Sequence, residues 1–390
     1  MSPRLLSKAS HSGSYIVSLA SISPTSCAAL ATDSSKDNTL LFYKLSPTGL
    51  SLSKAVDLQG DRDTTSLRAI NNDASGQNFY MTAHKNPGSV KAWDERQTKP
   101  LMHILDHIVY PPQNRNILSF DLSSNILATG TDLFSDDASI FYWDIRNTAN
   151  PIHVHASTHS DDITVIQFHP NTSDTLLSAS TDGLLSISQT NEADEDEAVV
   201  YVANWGCSIA RADWFARNNG GQYGVWAGSD METFGTWSQE LDTLVDFGDI
   251  RDITMAERGN IDYLIDVFDY SQESGPFGVN SPILYFGSNQ GDVALTTISD
   301  LSSRGKTLKL RESLAGGHID AVVRSVLYNK PNELLLTGDE EGRLNAWKIQ
   351  NNPIDEDGDS KMDDEISRGN LKRPLEDEQL EATKRGRYID

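Results

Sequence analysis

At 390 residues, with 38% hydrophobic and 23% charged side chains, the chain can bury one large core or two small ones, which excludes fibrous and wholly disordered classes. Two cysteines, Cys27 and Cys207, are too few for a disulfide framework or a four-ligand zinc site, and apolar runs such as residues 16–19 and 334–336 fall far short of a bilayer span. With 32 Lys plus Arg against 56 Asp plus Glu, the net charge of -24 repels a phosphate backbone, so the expectation is a soluble, non-secreted protein with no direct nucleic-acid or membrane partner.

The chain opens on a short segment, Arg4–Ser10 before His11, that matches residues 310–317 before His318 and predicts a strand ahead of the first repeat. Alternating runs that close on an aromatic residue then follow. They end at Tyr43 (Thr-Leu-Leu-Phe-Tyr-Lys-Leu), Trp93 (Ser-Val-Lys-Ala-Trp-Asp), Trp143 (Ser-Ile-Phe-Tyr-Trp-Asp), Trp237 (Thr-Phe-Gly-Thr-Trp-Ser) and Trp347 (Arg-Leu-Asn-Ala-Trp-Lys). Their separations are 50, 50, 94 and 110 residues. Each double-length gap holds a degenerate copy, Leu184–Gln189 and residues 293–297, with Ser188 and Thr296 in place of the aromatic. Seven copies at one period make a repeat architecture. A turn residue stands six positions before the aromatic, or its substitute, in five copies: Asp37, Asp137, Asp182, Gln290 and Glu341. Asn38, Gly183, Gly291 and Gly342 come next in four of them and tolerate the positive φ of a tight turn.

A second element recurs upstream of the aromatic. Gly317, His318, Ile319, Asp320, Ala321, Val322 and Val323 echo Gly259, Asn260, Ile261, Asp262, Tyr263, Leu264 and Ile265, with weaker echoes at His159 and His11. The distance from His159 to Asp182 equals that from His318 to Glu341. With Trp93-Asp94 and Trp143-Asp144, these residues resemble the WD-repeat β-propeller family over residues 3–350, and the layout with degenerate fourth and sixth copies is similar to the WD repeat-containing protein 89 group. The resemblance implies an all-β, seven-bladed propeller in which an upstream His, a strand Ser or Thr, a turn acid and the closing Trp form a relay that locks each blade. In the last copy that set is His318, Thr337, Glu341 and Trp347. The last repeat ends near Ile349 after three strands, so residues 5–8 are expected to supply the fourth and close the ring, removing two sheet edges. A His-Ser-Asp set that recurs at fixed spacing reads as scaffolding, because catalysis needs one site.

Function is therefore expected in departures from the repeat. Residues 191–197 hold five carboxylates and residues 230–269 hold eleven acids against Arg251 and Arg258. Glu195, Asp196, Glu197, Asp246 and Asp249 are the candidate acidic surface for a basic client such as a histone or ribosomal protein. Arg96 and Arg146 end successive Trp-Asp-x-Arg motifs, which resemble the paired signature of WD-repeat substrate receptors that dock on the adaptor of cullin-RING ubiquitin ligases. Residues 110–114 and 271–281 exceed ordinary hairpin loops, and Phe277 at the tip of the second is a candidate exposed anchor. Residues 351–390, with twelve acids, seven bases and few aliphatics, are expected to be a disordered tail. In it Lys372 and Arg373 precede a ten-residue spacer and then Lys384, Arg385 and Arg387, the layout of a bipartite nuclear localisation signal that would engage an importin.

No phosphate-cradling Gly-Lys-Ser or Gly-Lys-Thr loop, His-x-x-x-His pair with a carboxylate or Gly-x-Ser-x-Gly elbow occurs. His153, His155, His159 and His169 lie close together in sequence, but His159 belongs to the repeat and His169 precedes Pro170, so neither metal nor cofactor is expected. The sequence thus reads as a non-catalytic nuclear scaffold, made in the cytoplasm and imported, with a ligase substrate receptor as the alternative.

Overall fold

Strand-forming alternation dictates most of the described chain, and runs next to each other in sequence pair as neighbours in a sheet. The computed structural model describes residues 3–349 except 36, 59–61, 73–76, 87, 106–114, 218–221, 253–260, 271–274, 280 and 299–307. The expected nuclear-localisation residues Lys372, Arg373, Lys384, Arg385 and Arg387, and the loop 110–114, lie outside the described residues.

The N-terminal strand is β1 (Arg4–Ser10). Blade 1 is β2 (Ser14–Ser23), β3 (Ser26–Asp33), β4 (Asn38–Ser46) and β5 (Gly49–Asp57); blade 2 is β6 (Arg62–Asn72), β7 (Gln77–Asn86), β8 (Ser89–Trp93) and β9 (Met102–Leu105). Blade 3 is β10 (Ile117–Ser123), β11 (Ile126–Thr131), β12 (Ile140–Asp144) and β13 (His153–His155). Blade 4 is β14 (Val165–Phe168), β15 (Thr175–Ala179), β16 (Leu184–Gln189) and β17 (Val199–Asn204), with the one-turn helix α1 (Glu195–Ala198) before the last strand. Blade 5 is β18 (Ile209–Ala216), β19 (Tyr223–Ser229), β20 (Thr233–Ser238) and β21 (Thr243–Asp249); blade 6 is β22 (Tyr263–Asp269), β23 (Pro282–Gly287), β24 (Val293–Ile298) and β25 (Leu308–Leu314). Blade 7 is β26 (Val323–Asn329), β27 (Leu334–Asp339) and β28 (Arg343–Lys348), completed by β1.

All seven sheets are antiparallel and four-stranded. β1 pairs with β28 from Arg4↔Lys348 to Ser10↔Arg343, so the expected closure is present and runs three residues beyond residues 5–8. The first strands of successive blades pack side by side, and β26 packs on β2, which closes the ring. The core is divided among seven clusters, one at each blade junction. Phe141 and Trp143 meet Phe79 and Met81 between blades 2 and 3, and Trp347 meets Ile283 and Tyr285 between blades 6 and 7. The closing aromatics Tyr43, Trp93, Trp143, Trp237 and Trp347 are all buried on third strands, as the repeat implied.

Turn glycines explain how closely the blades approach. Gly183, Gly291 and Gly342 have positive φ, and a Cβ on Gly291 would fall 1.5 Å from the His318 carbonyl oxygen of the next blade. Only glycine permits that contact. Asn38 departs from the pattern: it opens β4 without a positive φ, and its side chain accepts a hydrogen bond from Thr32 Oγ1 at 2.7 Å.

Antiparallel order fixes two ends of the ring. First strands begin, and second strands turn into third strands, at what we term the entry end; third strands turn into fourth strands at the exit end.

Candidate functional site

The His-hydroxyl-acid sets are built into the blades. In blade 7 Trp347 Nε1 donates to Thr337 Oγ1 at 2.9 Å, Thr337 Oγ1 lies 2.6 Å from His318 Nε2, and His318 Nδ1 lies 2.7 Å from Asp339. With its oxygen occupied by the indole, the threonine donates to Nε2, which leaves the Nδ1 proton for the carboxylate. Asp339, not Glu341, is therefore the acid of this relay. Glu341 is an exposed turn residue, whose backbone N–H donates to Asp339 Oδ1 at 3.0 Å. Burial raises the Asp339 carboxyl, but hydrogen bonds from His318 and Arg343 outweigh it and hold the pKa below the usual carboxylate range.

Blade 4 keeps the other spacing, with His159 Nε2 2.8 Å from Ser178 and Nδ1 3.2 Å from Asp182. Blade 2 is rewired: Trp93 Nε1 donates to Thr82 Oγ1 at 2.8 Å, and Thr82 contacts Nε2 of His84, which stands where blade 7 has Asp339. In blade 3 the buried Thr129 hydroxyl and Trp143 indole N–H find no partner among the described residues. Buried in blades 2, 4 and 7, and linked to tryptophan in blades 2 and 7, these sets are braces. The histidines at 153, 155 and 169 are likewise packed: the first two lie against Tyr142, and His169 lies between Trp214 and Tyr223. Burial lowers the pKa of all three, and no His/Cys/Asp/Glu group suited to a metal occurs among the described residues.

The first strands enclose a central cavity of about 580 Å³. Around it each blade clasps the next. Thr65 Oγ1 donates to the Ile117 carbonyl at 3.0 Å, Ser119 to Ile163 at 2.7 Å, Thr164 to Ile209 at 2.6 Å and Ser325 to Ile16 at 3.3 Å, while Arg211 reaches the Ile265 carbonyl. Between blades 6 and 7 the register puts Asp266, which cannot donate when ionised, at the position of Ser325. There Tyr263 Oη accepts a hydrogen bond from Val323 N–H at 2.8 Å instead.

One layer further in, register aligns Arg68, Asp121, Gln167 and Asp213 on blades 2 to 5, facing Phe268, Leu327 and Ala20 on blades 6, 7 and 1. Arg68 bonds Asp121 at 3.2 Å and Gln167 at 2.9 Å. Asp213 accepts only the Trp214 N–H at 2.7 Å among the described residues. Burial, with nearby Asp121 and Asp266, pushes its carboxyl up to about 7 against the pull of Arg68. These charges escaped the sequence reading because each is a single substitution at a repeated inner-strand position; aligning those strands by their shared bulge reveals them.

The structure divides the candidate acidic surface. Glu195, Asp196 and Glu197 form α1 at the exit end of blade 4, whereas Asp249 pairs with Thr233 at the entry end of blade 5, and Asp246 stands on the outer strand between. Glu195 is committed internally: it accepts from the Ala156 and Ser157 N–H groups at 2.7 and 2.9 Å and from the Thr158 hydroxyl. Burial raises its pKa, but these bonds outweigh it and leave it depressed. Asp249 is forked onto Arg251, with oxygen-to-nitrogen distances of 2.8 and 2.6 Å, while Asp196, Glu197 and Asp246 are exposed. Phe277 is not an exposed anchor. It is 9% exposed and packs with Tyr270, Ile283 and Tyr285, because a positive φ at the loop tip turns it inward.

Arg96 and Arg146 do share one rim, each in the third-to-fourth turn of consecutive blades at the exit end. Each clasps the aspartate two residues earlier, Arg96 Nη2 at 2.5 Å from Asp94 and Arg146 Nη2 at 2.6 Å from Asp144, with side chains 83% and 69% exposed. The hydrogen bonds from Arg146 lower Asp144 to about 2.

At the entry end six of the seven second-to-third turns carry acids, including Asp37, Asp136, Asp137, Asp182, Asp230 and Glu341, and the one base in their sequence is Lys36, outside the described residues; Arg251, Arg324 and Arg343 lie at the same end, each paired with an acid.

Seven four-stranded blades, third-strand aromatics and the His318-Thr337-Trp347 brace meet here in one chain. The chain is a seven-bladed β-propeller that resembles WD-repeat proteins. No family model matches it. It is 27% identical to an uncharacterized WD repeat-containing protein of Saccharomyces cerevisiae over 297 residues, 74% of this chain and 69% of that protein. It is 28% identical to WD repeat-containing protein GTS1 of Arabidopsis thaliana over 306 residues, 75% and 72% of the two chains. It is also 28% identical to the WD repeat-containing protein 89 homolog of Dictyostelium discoideum over 271 residues, 68% and 66%. WD-repeat propellers generally bind protein partners, and a protein-interaction scaffold is the function that this likeness supports.

Proposed function

We propose that this propeller is a non-catalytic nuclear scaffold that holds a basic protein client, of the histone or ribosomal-protein kind, on its entry end. The observation that carries the reading is the row of second-to-third turns with acids on six blades against a single base, Lys36. A field of one sign over a broad face steers and retains a cationic partner, and salt weakens it. The buried His-hydroxyl braces repeated in blades 2, 4 and 7 support a non-catalytic role, and the basic clusters at 372–373 and 384–387 support import by an importin. The test is affinity purification of the full chain from nuclear extract at low and high salt, followed by mass spectrometry. Basic proteins that elute with salt are expected; a partner set without them would overturn the reading.

A second reading, substrate receptor of a cullin-RING ligase, is favoured by the matched, exposed guanidinium groups of Arg96 and Arg146 on neighbouring blades. A planar guanidinium suits paired recognition of carboxylates. That reading predicts a salt-resistant ligase adaptor in the same purification, lost with Arg96→Ala plus Arg146→Ala; retention by the double variant would refute docking through these arginines.

A further inference from the structure

The outer strands of a propeller are its remaining sheet edges, and an exposed edge offers a row of backbone donors and acceptors to any extended chain that fits. Six of the seven outer strands are guarded by charge or imidazole: Lys8 on β1, Lys54 on β5, His103 on β9, the partly exposed His153 on β13, Asp246 and Asp249 on β21, and Lys309, Arg311 and Glu312 on β25. β17 is not. Its sequence, Val-Val-Tyr-Val-Ala-Asn, holds no charge and no proline, and among the described residues it pairs with β16 alone.

Three consecutive apolar side chains on β17 are also exposed, Val200 at 44%, Tyr201 at 37% and Val202 at 54%. Val200 sits in the β-bulge of the β16–β17 pairing, while Tyr201 and Val202 point to opposite faces, so β17 stands clear of its neighbours on both. At its Val199 end lie exposed Asp194, Asp196 and Glu197, joined by Glu240 and Asp242 in the corresponding turn of blade 5. Strand, edge and charge therefore specify one complement: an extended apolar segment with a base at one end.

We propose that β17 is a β-augmentation site, which takes a partner segment as an antiparallel fifth strand of blade 4. Backbone hydrogen bonds supply affinity, β-branched side chains pack beside Val200, Tyr201 and Val202, and antiparallel pairing brings the segment's C-terminal end to the acidic turn. The segment is thus three or four alternating β-branched residues followed by lysine or arginine. This surface lies on the flank of blade 4, apart from the entry-end turns, so it stands or falls independently of the basic client proposed there.

The probe is a fluorescein-labelled peptide, Ser-Val-Thr-Val-Thr-Val-Lys-Arg amide, titrated into the full-length protein by fluorescence anisotropy. Saturable binding is expected, at least tenfold weaker for Val200→Lys plus Val202→Lys and at least threefold weaker when Lys-Arg is moved to the peptide's N-terminus. N-methylation of every second residue blocks one edge of the peptide, so one of the two N-methylated registers should lose binding and the other keep it. No saturable binding, equal binding by both N-methylated registers, or equal binding by the double variant would overturn the proposal. Sedimentation of the protein alone completes the test: a dimer dissociated by Val200→Lys plus Val202→Lys would show that β17 pairs with a second copy instead, and a monomer is the expected result.

Discussion

Replacing Asp213 with asparagine tests the electrostatics of the central cavity. Burial and two like-charged neighbours, Asp121 and Asp266, push this carboxyl to about 7, while Arg68, the nearest opposing charge, is engaged by Asp121 and Gln167. A folded pKa above the ordinary 3.8 means that the native chain holds a proton the unfolded chain has released. The stability associated with that proton is fully present below about pH 4 and is lost as pH rises through about 7. The full difference corresponds to at most ~4 kcal/mol, and because the side chain is only partly buried in an open cavity we take ~1–2 kcal/mol. Asparagine keeps the acceptor for Trp214 N–H and cannot ionise. Urea unfolding at pH 5.5 and pH 8, both above the pI of about 4.6, should show Asp213→Asn gaining ~0.5–1 kcal/mol on the wild type between the two. An identical difference at both pH values, or a loss at pH 8, would refute the reasoning.

Other perturbations follow from the same geometry. Tyr263→Phe removes the acceptor of the Val323 N–H across the blade 6–7 junction, and should cost ~1–2 kcal/mol in urea unfolding, with faster amide exchange at Val323. Gly291→Ala places a methyl on the His318 carbonyl and should destabilise by ~2–4 kcal/mol, whereas Gly13→Ala, with open space around its Cβ, should cost ~1 kcal/mol; thermal melts distinguish the two. Phe277→Ala should lower stability by ~3 kcal/mol through loss of packing against Tyr270 and Tyr285, while leaving the profile of co-purifying partners unchanged.

The architecture was legible in sequence because a repeat multiplies weak signals. Tyr43, the tryptophans and the turn glycines each mark the same point in a blade, and the match of residues 4–10 to 310–317 announced the closing strand. Legibility failed where one position could be filled from two places in the chain. Glu341 occupies the turn position that Asp182 fills in blade 4, yet in blade 7 an aspartate two residues earlier, Asp339, points at the histidine and displaces it. The candidate acidic surface failed for a related reason. Antiparallel strands carry residues 195–197 and 249 to opposite ends of the ring, which no count of nearby carboxylates reveals. Phe277 was ambiguous in a Gly- and Pro-flanked loop, and only its backbone turn decides that the ring faces inward. The unguarded edge at β17 was present in the sequence as Val-Val-Tyr-Val-Ala-Asn, but its meaning depends on knowing that this run is an outermost strand.

The central claim is that the entry end holds a basic client through its turn acids. Asp136, Asp137, Asp320 and Glu341 are exposed there, and their carboxylates make no hydrogen bond or ion pair with described residues, so neutralising all four should leave the fold intact. A labelled core histone dimer would be titrated into wild type and into the Asp136→Asn, Asp137→Asn, Asp320→Asn, Glu341→Gln variant from 50 to 300 mM salt. The account predicts wild-type binding that falls steeply with salt, and a variant at least tenfold weaker at the lowest salt with a shallower salt dependence. Equal affinity of the two proteins across the series would contradict it.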